Sequence, residues 1–339
     1  MNILFDLLHP ADVNLFRNSI NTLSQEGNLV YLTYRHRGVL DLIAKSELPE
    51  FTITRLGSHR KSLFGKIFSI IQREYLAFRF LRRNKIKLVI CQGLASGIAC
   101  KLLGVKILHY DDDSEYRFTF LLGKWFSDID VMPDFMPVNG KNFFKYRGYK
   151  ELAYLHPNYF TPNHDILKEY GLQPNSYVFI REIANVSVNY HNRIGLLPEI
   201  VIYLKNKDIK ILLSIENKAL VNEFNDNCII LKEPVKHLYS LIYFSRFVIS
   251  SGDTMAREAC LLGNPCIYTG GRMMQANQRF IDIGAMVKTE LIEEVYSTID
   301  TMMDVSFNQS SKEKMTALIA NEFEDTNAVL FSQIKKLLK

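Results

Sequence analysis

Residues 247–271 of the sequence, FVISSGDTMAREACLLGNPCIYTGG, place small polar residues between an apolar run and a helix-like segment. A helix that begins in such a turn offers unpaired backbone N–H groups and a partial positive charge, and both suit an anion. Gly252 allows the backbone to approach a ligand closely, and Glu258, expected on the helix surface, has oxygens that accept hydrogen bonds from ribose hydroxyls. We therefore predict that this turn binds the phosphate or ribose of a sugar nucleotide through Ser251, Gly252, Asp253, Thr254 and Glu258.

Helix capping is the alternative explanation of the same turn. Ser, Asp and Thr are common caps, and Glu is common in the first turns of helices. The carboxylate of Asp253 also weakens the phosphate interpretation, because it repels a diphosphate unless it points away.

Arg181 and Glu182 directly follow the apolar run YVFI at residues 177–180. A guanidinium group at the end of a strand suits a diphosphate, because its two N–H arms can contact two oxygens. We predict that Arg181 binds the nucleotide diphosphate. A surface ion pair is the alternative.

Candidate proton-transfer residues follow two apolar runs in the first half of the chain. His9 stands where the first run gives way to a helix, and residues 111–113 are three consecutive aspartates with Glu115 close behind. Histidine and carboxylate groups accept protons, so we predict catalytic roles for His9 and Asp112. Helix capping by His9, and a solvated loop or a divalent-ion site at the aspartates, are the alternatives.

A basic segment spans residues 58–87, where Glu74 is the single acid. Apolar residues recur at helical spacing in this segment and predict one apolar stripe along a helix from Leu63 to Asn84, made of Phe64, Ile67, Phe68, Ile71, Tyr75 and Phe78. A buried core helix with a solvated basic face is one interpretation. A helix on an anionic membrane, held by basic residues that include Arg73, Arg82 and Arg83, is the other.

These residues need a scaffold that brings strand ends together. Strand-length apolar runs alternate with amphipathic helix-length segments along the 339 residues, which favours parallel sheets covered by helices. The length predicts two domains, and a Tyr-, Pro- and Asn-rich stretch places their boundary near residue 155. We predict an α/β chain of two Rossmann-like domains facing a central cleft, with residues 1–155 for the acceptor and 156–339 for the nucleotide sugar. The last helix is a candidate to pack back on the N-terminal domain.

Composition narrows the functional class. A net charge of +5 is too small for this length to indicate a nucleic-acid partner. No run of about 18 apolar residues and no signal-peptide pattern occurs, so we expect a cytoplasmic protein. The five cysteines include no CxxC pair and predict reduced core thiols.

The sequence resembles the bacterial and archaeal family of unknown function DUF354 over nearly its whole length. The stretches that carry the resemblance are DLLHPADVNLFRN, GSHRKSLFGK, DDDSEY, GYKELAYLHP and SSGDTMAREACLLGNPCIYT. That family is similar to GT-B glycosyltransferases and to non-hydrolysing UDP-N-acetylglucosamine 2-epimerases, which implies two Rossmann-like domains with the nucleotide bound mainly by the C-terminal one. The resemblance implies that Glu258 binds ribose, whereas Asp253 departs from the glycine-rich turn usual in the family.

The same resemblance separates transferase from epimerase. The catalytic Asp of the 2-epimerases falls near Leu94 of this sequence, and a leucine cannot transfer a proton. We therefore expect a glycosyltransferase that uses a nucleotide-activated sugar, with UDP as the preferred nucleotide, in surface polysaccharide assembly. Since GT-B enzymes commonly need no metal, we expect neither metal nor cofactor, and a saccharide or lipid-linked saccharide as acceptor. An epimerase-like enzyme and a non-catalytic sugar-nucleotide-binding protein are the alternatives.

Overall fold

The computed structural model describes residues 1–36, 40–58, 63–94, 96–113, 117–183, 195–217, 220–232 and 235–339. The chain divides into two compact units, each with its own parallel sheet. The first unit contains Met1–Tyr159 and Phe323–Lys339, and the second contains Phe160–Glu322.

The first unit is built on a seven-stranded sheet with the order β3-β2-β1-β4-β5-β6-β7. Its strands are β1 (Asn2–Leu7), β2 (Leu29–His36), β3 (Ile53–Ser58), β4 (Leu88–Cys91), β5 (Lys106–Tyr110), β6 (Ile129–Pro133) and β7 (Phe143–Tyr146). Its helices are α1 (Pro10–Gln25), α2 (Leu40–Glu47), α3 (Leu63–Arg83), α4 (Gly97–Leu103), α5 (Arg117–Phe126), α6 (Leu152–Leu155) and, at the end of the chain, α15 (Thr326–Leu338).

The second unit is built on a six-stranded sheet with the order β10-β9-β8-β11-β12-β13. Its strands are β8 (Tyr177–Glu182), β9 (Lys210–Ile215), β10 (Ile229–Ile230), β11 (Val248–Ser250), β12 (Cys266–Tyr268) and β13 (Met286–Lys288). Its helices are α7 (Ile166–Glu169), α8 (Leu197–Asn206), α9 (Val221–Phe224), α10 (Leu238–Tyr243), α11 (Asp253–Leu261), α12 (Gln275–Asp282), α13 (Ile292–Met302) and α14 (Val305–Asn321).

The central strands are apolar because helices cover both faces of each sheet. All four residues of β4 are buried, as are the first four of β8, which explains why these runs do not alternate with polar residues. In each sheet the strand order reverses at the first strand, at β1 in one unit and β8 in the other. Ligands of open parallel sheets bind beyond the carboxyl ends of strands at such a reversal, which is where the predicted site residues lie.

The predicted boundary near residue 155 and the observed one between Tyr159 and Phe160 fall in the same segment. The predicted C-terminal domain ran to residue 339, with the last helix as a candidate to pack back on the N-terminal domain, and residues 323–339 do belong to the first unit. Buried polar residues attach α15 to that unit. Asn327 donates from Nδ2 to the Ala153 carbonyl at 2.7 Å and accepts from the Ser19 hydroxyl at 3.0 Å.

The predicted basic helix forms, but one of its charges is internal. Arg73 is buried, and its guanidinium pairs with Asp6 at 2.5 Å and donates to the Leu56 carbonyl. The inclusion of Arg73 among membrane-facing charges was therefore wrong, because this guanidinium neutralises an aspartate inside β1. Within the described ranges, none of the helices combines the length and the hydropathy that a membrane crossing requires.

Candidate functional site

The second unit brings the predicted nucleotide-binding residues to one edge of its sheet. β11 pairs with β8 on one side and with β12 on the other, and Ser250 is in register with both Arg181 and Tyr268. The last residues of these strands and the loops that follow them therefore lie side by side. They include Arg181 near the end of β8, the turn 251–254 after β11 and the loop 269–272 after β12.

The turn before α11 is held by its own polar atoms. Gly252 occupies the N-cap position, and its N–H donates to the Ser250 hydroxyl at 3.1 Å. The Ser251 hydroxyl accepts from the Ile183 N–H at 2.9 Å, which ties the turn to the end of β8. Thr254 donates its N–H to the Asp253 carboxylate at 2.9 Å. The N-cap is Gly252 and makes no side-chain capping hydrogen bond, so the capping alternative is not realised at the N-cap itself. The Asp253 carboxylate, one residue inside the helix, satisfies the Thr254 N–H instead. Phosphate binding by the turn stays a prediction.

The charge of Asp253 is balanced by two arginines. Its Oδ2 lies 3.3 Å from Nη1 of Arg272 and 4.0 Å from Nη1 of Arg257, which is itself buried and lies 3.3 Å from the Asn277 amide oxygen. The carboxylate that was expected to repel a diphosphate is therefore paired with cations. This local balance removes the main electrostatic objection to phosphate binding beside α11.

Arg181 contacts the neighbouring strand. Its Nη1 donates to the Ser214 hydroxyl at 2.7 Å, and Nη2 pairs with Glu216, so the guanidinium extends toward the end of β9. The predicted alternative of an ion pair is realised, although only 14% of the Arg181 side chain is exposed. The role of Arg181 in phosphate binding stays a prediction.

The sequence predicted that Glu258 lies on the helix surface, but the structure shows that it is buried. Its Oε1 accepts a hydrogen bond from the Tyr239 hydroxyl at 3.0 Å, and Tyr239 belongs to α10. Helix α11 packs against the end of the sheet with this face inward, and the apolar content of the segment did not reveal that. A ribose-binding role for Glu258 stays a prediction.

In the first unit, adjacent strands β1, β4 and β5 end next to one another, and His9 follows β1. His9 is the N-cap of α1, and its Nδ1 accepts the Ala11 N–H at 3.2 Å. The capping alternative is therefore realised, while the catalytic role of the exposed imidazole stays a prediction.

Asp12 completes the start of α1 as a buried carboxylate. It accepts the N–H groups of Leu8 at 2.7 Å and His9 at 2.9 Å. Burial raises the pKa of Asp12 to about 6, against the opposing effect of these two hydrogen bonds.

Asp112 lies in a polar cluster just beyond β5. Its Oδ1 accepts from the Gln92 side chain at 2.8 Å, and its Oδ2 pairs with Lys150 at 2.8 Å. Gln92 follows β4 and Lys150 precedes α6, so three segments converge on one carboxylate. A carboxylate fixed by these two partners is suited to orient a hydroxyl.

Asp111, which precedes Asp112 in the chain, is better suited than Asp112 to accept a proton. Burial raises its pKa to about 7, although the charge of His109 and a hydrogen bond from the Asp113 N–H oppose the change. Oδ1 accepts that N–H at 3.1 Å, while the buried Oδ2 has no hydrogen-bond partner among the residues that the structure describes. Glu115, which belonged to the same predicted acidic run, lies outside the described residues.

Sequence reasoning missed several residues of both clusters. Lys150 stands in the motif GYKELAYLHP, which shared order with the family but carried no assigned role, and Arg272 follows the glycine pair 270–271 after β12. Lys150 and Arg272 each lie next to a recognisable element. An isolated Lys or Arg in a sequence, however, does not indicate which carboxylate it will pair with. In the described part of the chain, no group of three or more His, Cys, Asp or Glu residues is arranged to hold a metal ion.

Comparison with known proteins matches the whole chain to one family and to a relative from an archaeon. A model of a family described as a protein of unknown function, DUF354, matches residues 1–339. An uncharacterized protein from Methanocaldococcus jannaschii is 24% identical over 358 residues, which cover 100% of this chain and 99% of that protein.

Two solved structures show the same fold. The UDP-GlcNAc 2-epimerase from Neisseria meningitidis bound to UDP-GlcNAc has a TM-score of 0.71 at 11% identity, over 99% of this chain and 100% of that one. The spinosyn rhamnosyltransferase SpnG has a TM-score of 0.65 at 13% identity, over 98% and 99%. These likenesses confirm the predicted α/β, GT-B-like fold with two parallel sheets.

Proposed function

This chain belongs to the DUF354 family, and we propose that it is a cytoplasmic GT-B-type glycosyltransferase that uses a nucleotide-activated sugar in surface polysaccharide assembly. The proposed donor is a UDP-sugar, and the acceptor is a saccharide or a lipid-linked saccharide. For a lipid-linked acceptor, peripheral contact with an anionic membrane would bring enzyme and substrate together.

The observation that carries the proposal is the electrostatic arrangement at the start of α11. Three arginines, Arg181, Arg257 and Arg272, stand at or beside this sheet edge together with a helix N-terminus, while Asp253 and Glu216 offset part of their charge. Such a site favours a group that gains negative charge during the reaction.

In glycosyl transfer, the acceptor oxygen forms a bond to the anomeric carbon while the bond from that carbon to the diphosphate oxygen breaks. The electron pair leaves with the diphosphate, and Arg181 with the turn 251–254 stabilises it. The acceptor hydroxyl loses its proton to a base of the first unit, for which His9 and Asp112 are the candidates from the sequence. The raised pKa of Asp111 adds that residue to them.

A screen of UDP-, GDP-, dTDP- and CMP-sugars tests the proposal. A ligand at about a hundredfold excess over its dissociation constant should stabilise the fold by about 2.7 kcal/mol, which a thermal shift readily detects. A donor that binds is then incubated with saccharide and lipid-linked acceptors, and acceptor-dependent release of the nucleotide supports transfer. Binding without release in the presence of every acceptor favours a non-catalytic sugar-nucleotide-binding protein.

Epimerisation is the second candidate, favoured by the likeness of the whole chain to a UDP-GlcNAc 2-epimerase. Leu94 argues against epimerisation, because this residue is buried in the apolar core of the first unit and its side chain cannot transfer a proton. Incubation with UDP-GlcNAc in deuterated water separates the two activities. Deuterium at the sugar C2 without nucleotide release would support the epimerase and contradict the transferase.

A further inference from the structure

Helices α3, α4 and α5 of the first unit expose large apolar side chains. We call these residues the α3–α5 surface. It consists of Phe68, Ile70, Ile71 and Tyr75 on α3, Ile98 and Leu102 on α4, and Leu121 and Trp125 on α5. Scattered exposed apolar residues are ordinary, but eight on three consecutive helices form a feature that needs an explanation.

The three helices are neighbours. α3 packs against α4, and α4 packs against α5, so they form one layer on the sheet of the first unit. α4 and α5 connect strands that are adjacent in the sheet, β4 to β5 and β5 to β6, and these connections place both helices on the same face. The exposed side chains therefore belong to one side of the unit.

Three members of the apolar stripe predicted on α3 face outward. Phe68, Ile71 and Tyr75 are 51%, 64% and 59% exposed, whereas Phe78 of the same stripe packs against the core, and Ala77 and Leu81 are buried. Leu102 and Trp125, 72% and 68% exposed, continue the surface on the next two helices. A helix that only covered a sheet would not carry large apolar side chains on its outer face in addition to those that it places inward.

Basic side chains continue the same surface. Arg79 and Arg82 lie four and seven residues after Tyr75 and extend its face of α3, and the Arg79 guanidinium lies 5.8 Å from the centre of the Tyr75 ring. Lys101 on α4 and Lys124 on α5 are also exposed.

Within the described helices α3, α4 and α5, acidic groups do not offset this charge. The sequences of α4 and α5 contain none, and the one acid of α3, Glu74, accepts the N–H groups of Ile98 at 3.2 Å and Ala99 at 2.9 Å. Glu74 thus serves as a cap for α4, and burial raises the pKa of its carboxyl group.

We propose that the α3–α5 surface docks on an anionic lipid bilayer. Its apolar side chains enter the interface between headgroups and acyl chains, and the arginines and lysines contact lipid phosphates. The docking surface thereby includes α4 and α5 and is not limited to the basic helix. The presence of a lipid-linked acceptor rests on the proposed function, whereas binding to lipid can be measured without it.

Charge favours lipid over a second copy of the chain. In a symmetric dimer the same surface meets itself, so the basic groups of one copy would approach those of the other. An anionic bilayer instead offers negative charge beside an apolar interior, which matches both components of the surface.

Trp125 provides a direct probe, because it is the only tryptophan of the chain. Full-length protein is mixed with vesicles of phosphatidylglycerol and phosphatidylcholine, or of phosphatidylcholine alone, and intrinsic fluorescence and co-sedimentation are recorded. We expect a blue shift of the emission and co-sedimentation with the anionic vesicles at low salt. Both should be lost at high salt and be absent with phosphatidylcholine alone.

Matched variants identify the surface. Leu102→Glu should abolish the blue shift, whereas Ile202→Glu, a change at a 60% exposed residue on α8 of the second unit, should not. Arg82→Glu with Arg83→Glu should weaken vesicle binding about tenfold or more. Lys335→Glu with Lys336→Glu on α15 makes the same change of net charge and should leave binding within about twofold.

Each contrary result has a definite meaning. No blue shift and no co-sedimentation with anionic vesicles at low salt overturns the proposal, as does equal loss in the α3 and α15 charge variants. A dimer in solution that Leu102→Glu dissociates, without vesicle binding, assigns the surface to a second copy. The thermal shift with UDP is recorded for every variant, so that loss of folding or of nucleotide binding is distinguished from loss of lipid binding.

Discussion

At the scale of single residues, two adjacent aspartates in the first unit have different environments. Asp112 is paired with Lys150 and bonded to Gln92, while Asp111 keeps a buried oxygen without a partner among the described residues. Asp112 has the Lys150 ammonium as its partner, whereas burial raises the pKa of Asp111. Two neighbouring carboxyl groups thereby become suited to different tasks, one to orient a hydroxyl and the other to exchange a proton.

The first prediction concerns Asp111. A general base must be deprotonated, so turnover should rise with pH through the pKa of Asp111, which lies at about 7. Asp111→Asn should reduce turnover about a hundredfold or more and remove this limb of the pH profile. The profile of kcat between pH 5 and 9 measures both effects. Asp113→Asn is the matched control, and a limb that persists in the Asp111 variant would assign the base to another residue.

The second prediction concerns Glu258. Because its carboxyl group is buried and bonded to Tyr239, truncation to Ala would disturb packing as well as any ribose contact. Glu258→Gln keeps the shape and should weaken UDP binding about tenfold, with a small loss of stability, since a neutral amide is a weaker acceptor for hydroxyl groups. Titration calorimetry measures the affinity. Tyr239→Phe removes the partner hydroxyl, and equal affinities of the Gln variant and the unmodified protein would exclude a ribose contact.

At the scale of elements, the sequence predicted strands and helices well where the apolar period was clear. The helix predicted from Leu63 to Asn84 is α3, which spans Leu63–Arg83. The predicted linker, by contrast, contains α6 with all four residues buried, and β7 begins just before it. Short elements of four residues carry too few apolar positions to show a period, so only tertiary packing reveals them.

The residues of the candidate site were likewise predictable where they lie at strand ends and not where they lie in loops. Strand ends placed Arg181, Asp112 and the turn 251–254 correctly at the edges of the sheets, because parallel strands bring their carboxyl ends together. Their partners Lys150 and Arg272 come from loops, and no local pattern relates a loop cation to the carboxylate that it meets. The Glu258 side chain is buried because of the way α11 packs, and packing is also a tertiary property that the local sequence does not show.

The third prediction tests the loop after β12. A Cβ atom at Gly270 would lie 2.2 Å from the Tyr268 ring, whereas one at Gly271 would have the Glu290 carboxylate 3.8 Å away as its nearest neighbour. Gly270→Ala should therefore displace the loop and Arg272, lower the stability by about 1–3 kcal/mol and weaken UDP binding. Gly271→Ala is the matched control and should change both quantities little. Denaturant unfolding and UDP titration of the two variants provide the measurements, and indistinguishable results would show that the loop does not position Arg272.

At the scale of the whole molecule, the chain begins in one unit, builds the second, and returns to the first. The return is made by α15, which is fixed by polar groups in the interior of the first unit. The Thr326 hydroxyl donates to the Tyr149 carbonyl at 2.8 Å, and Asn327 bonds both Ser19 and the Ala153 carbonyl. The contacts between α15 and the rest of the first unit can therefore form only after the second unit has been synthesised.

The fourth prediction follows from this return. Asn327 is fully buried, so Asn327→Ala leaves the Ser19 hydroxyl without this acceptor, while the Ala153 carbonyl keeps its hydrogen bond from Asn18, and the change should destabilise the first unit by about 1–2 kcal/mol. Lys335→Ala, at an exposed position of the same helix, should have little effect. UDP, bound by the second unit under the proposed function, stabilises only that unit directly. Calorimetry should thus show two transitions, one lowered by Asn327→Ala and the other raised by UDP. A single transition that responds to both would show instead that the two units unfold cooperatively, and α15 would then stabilise the nucleotide site as well.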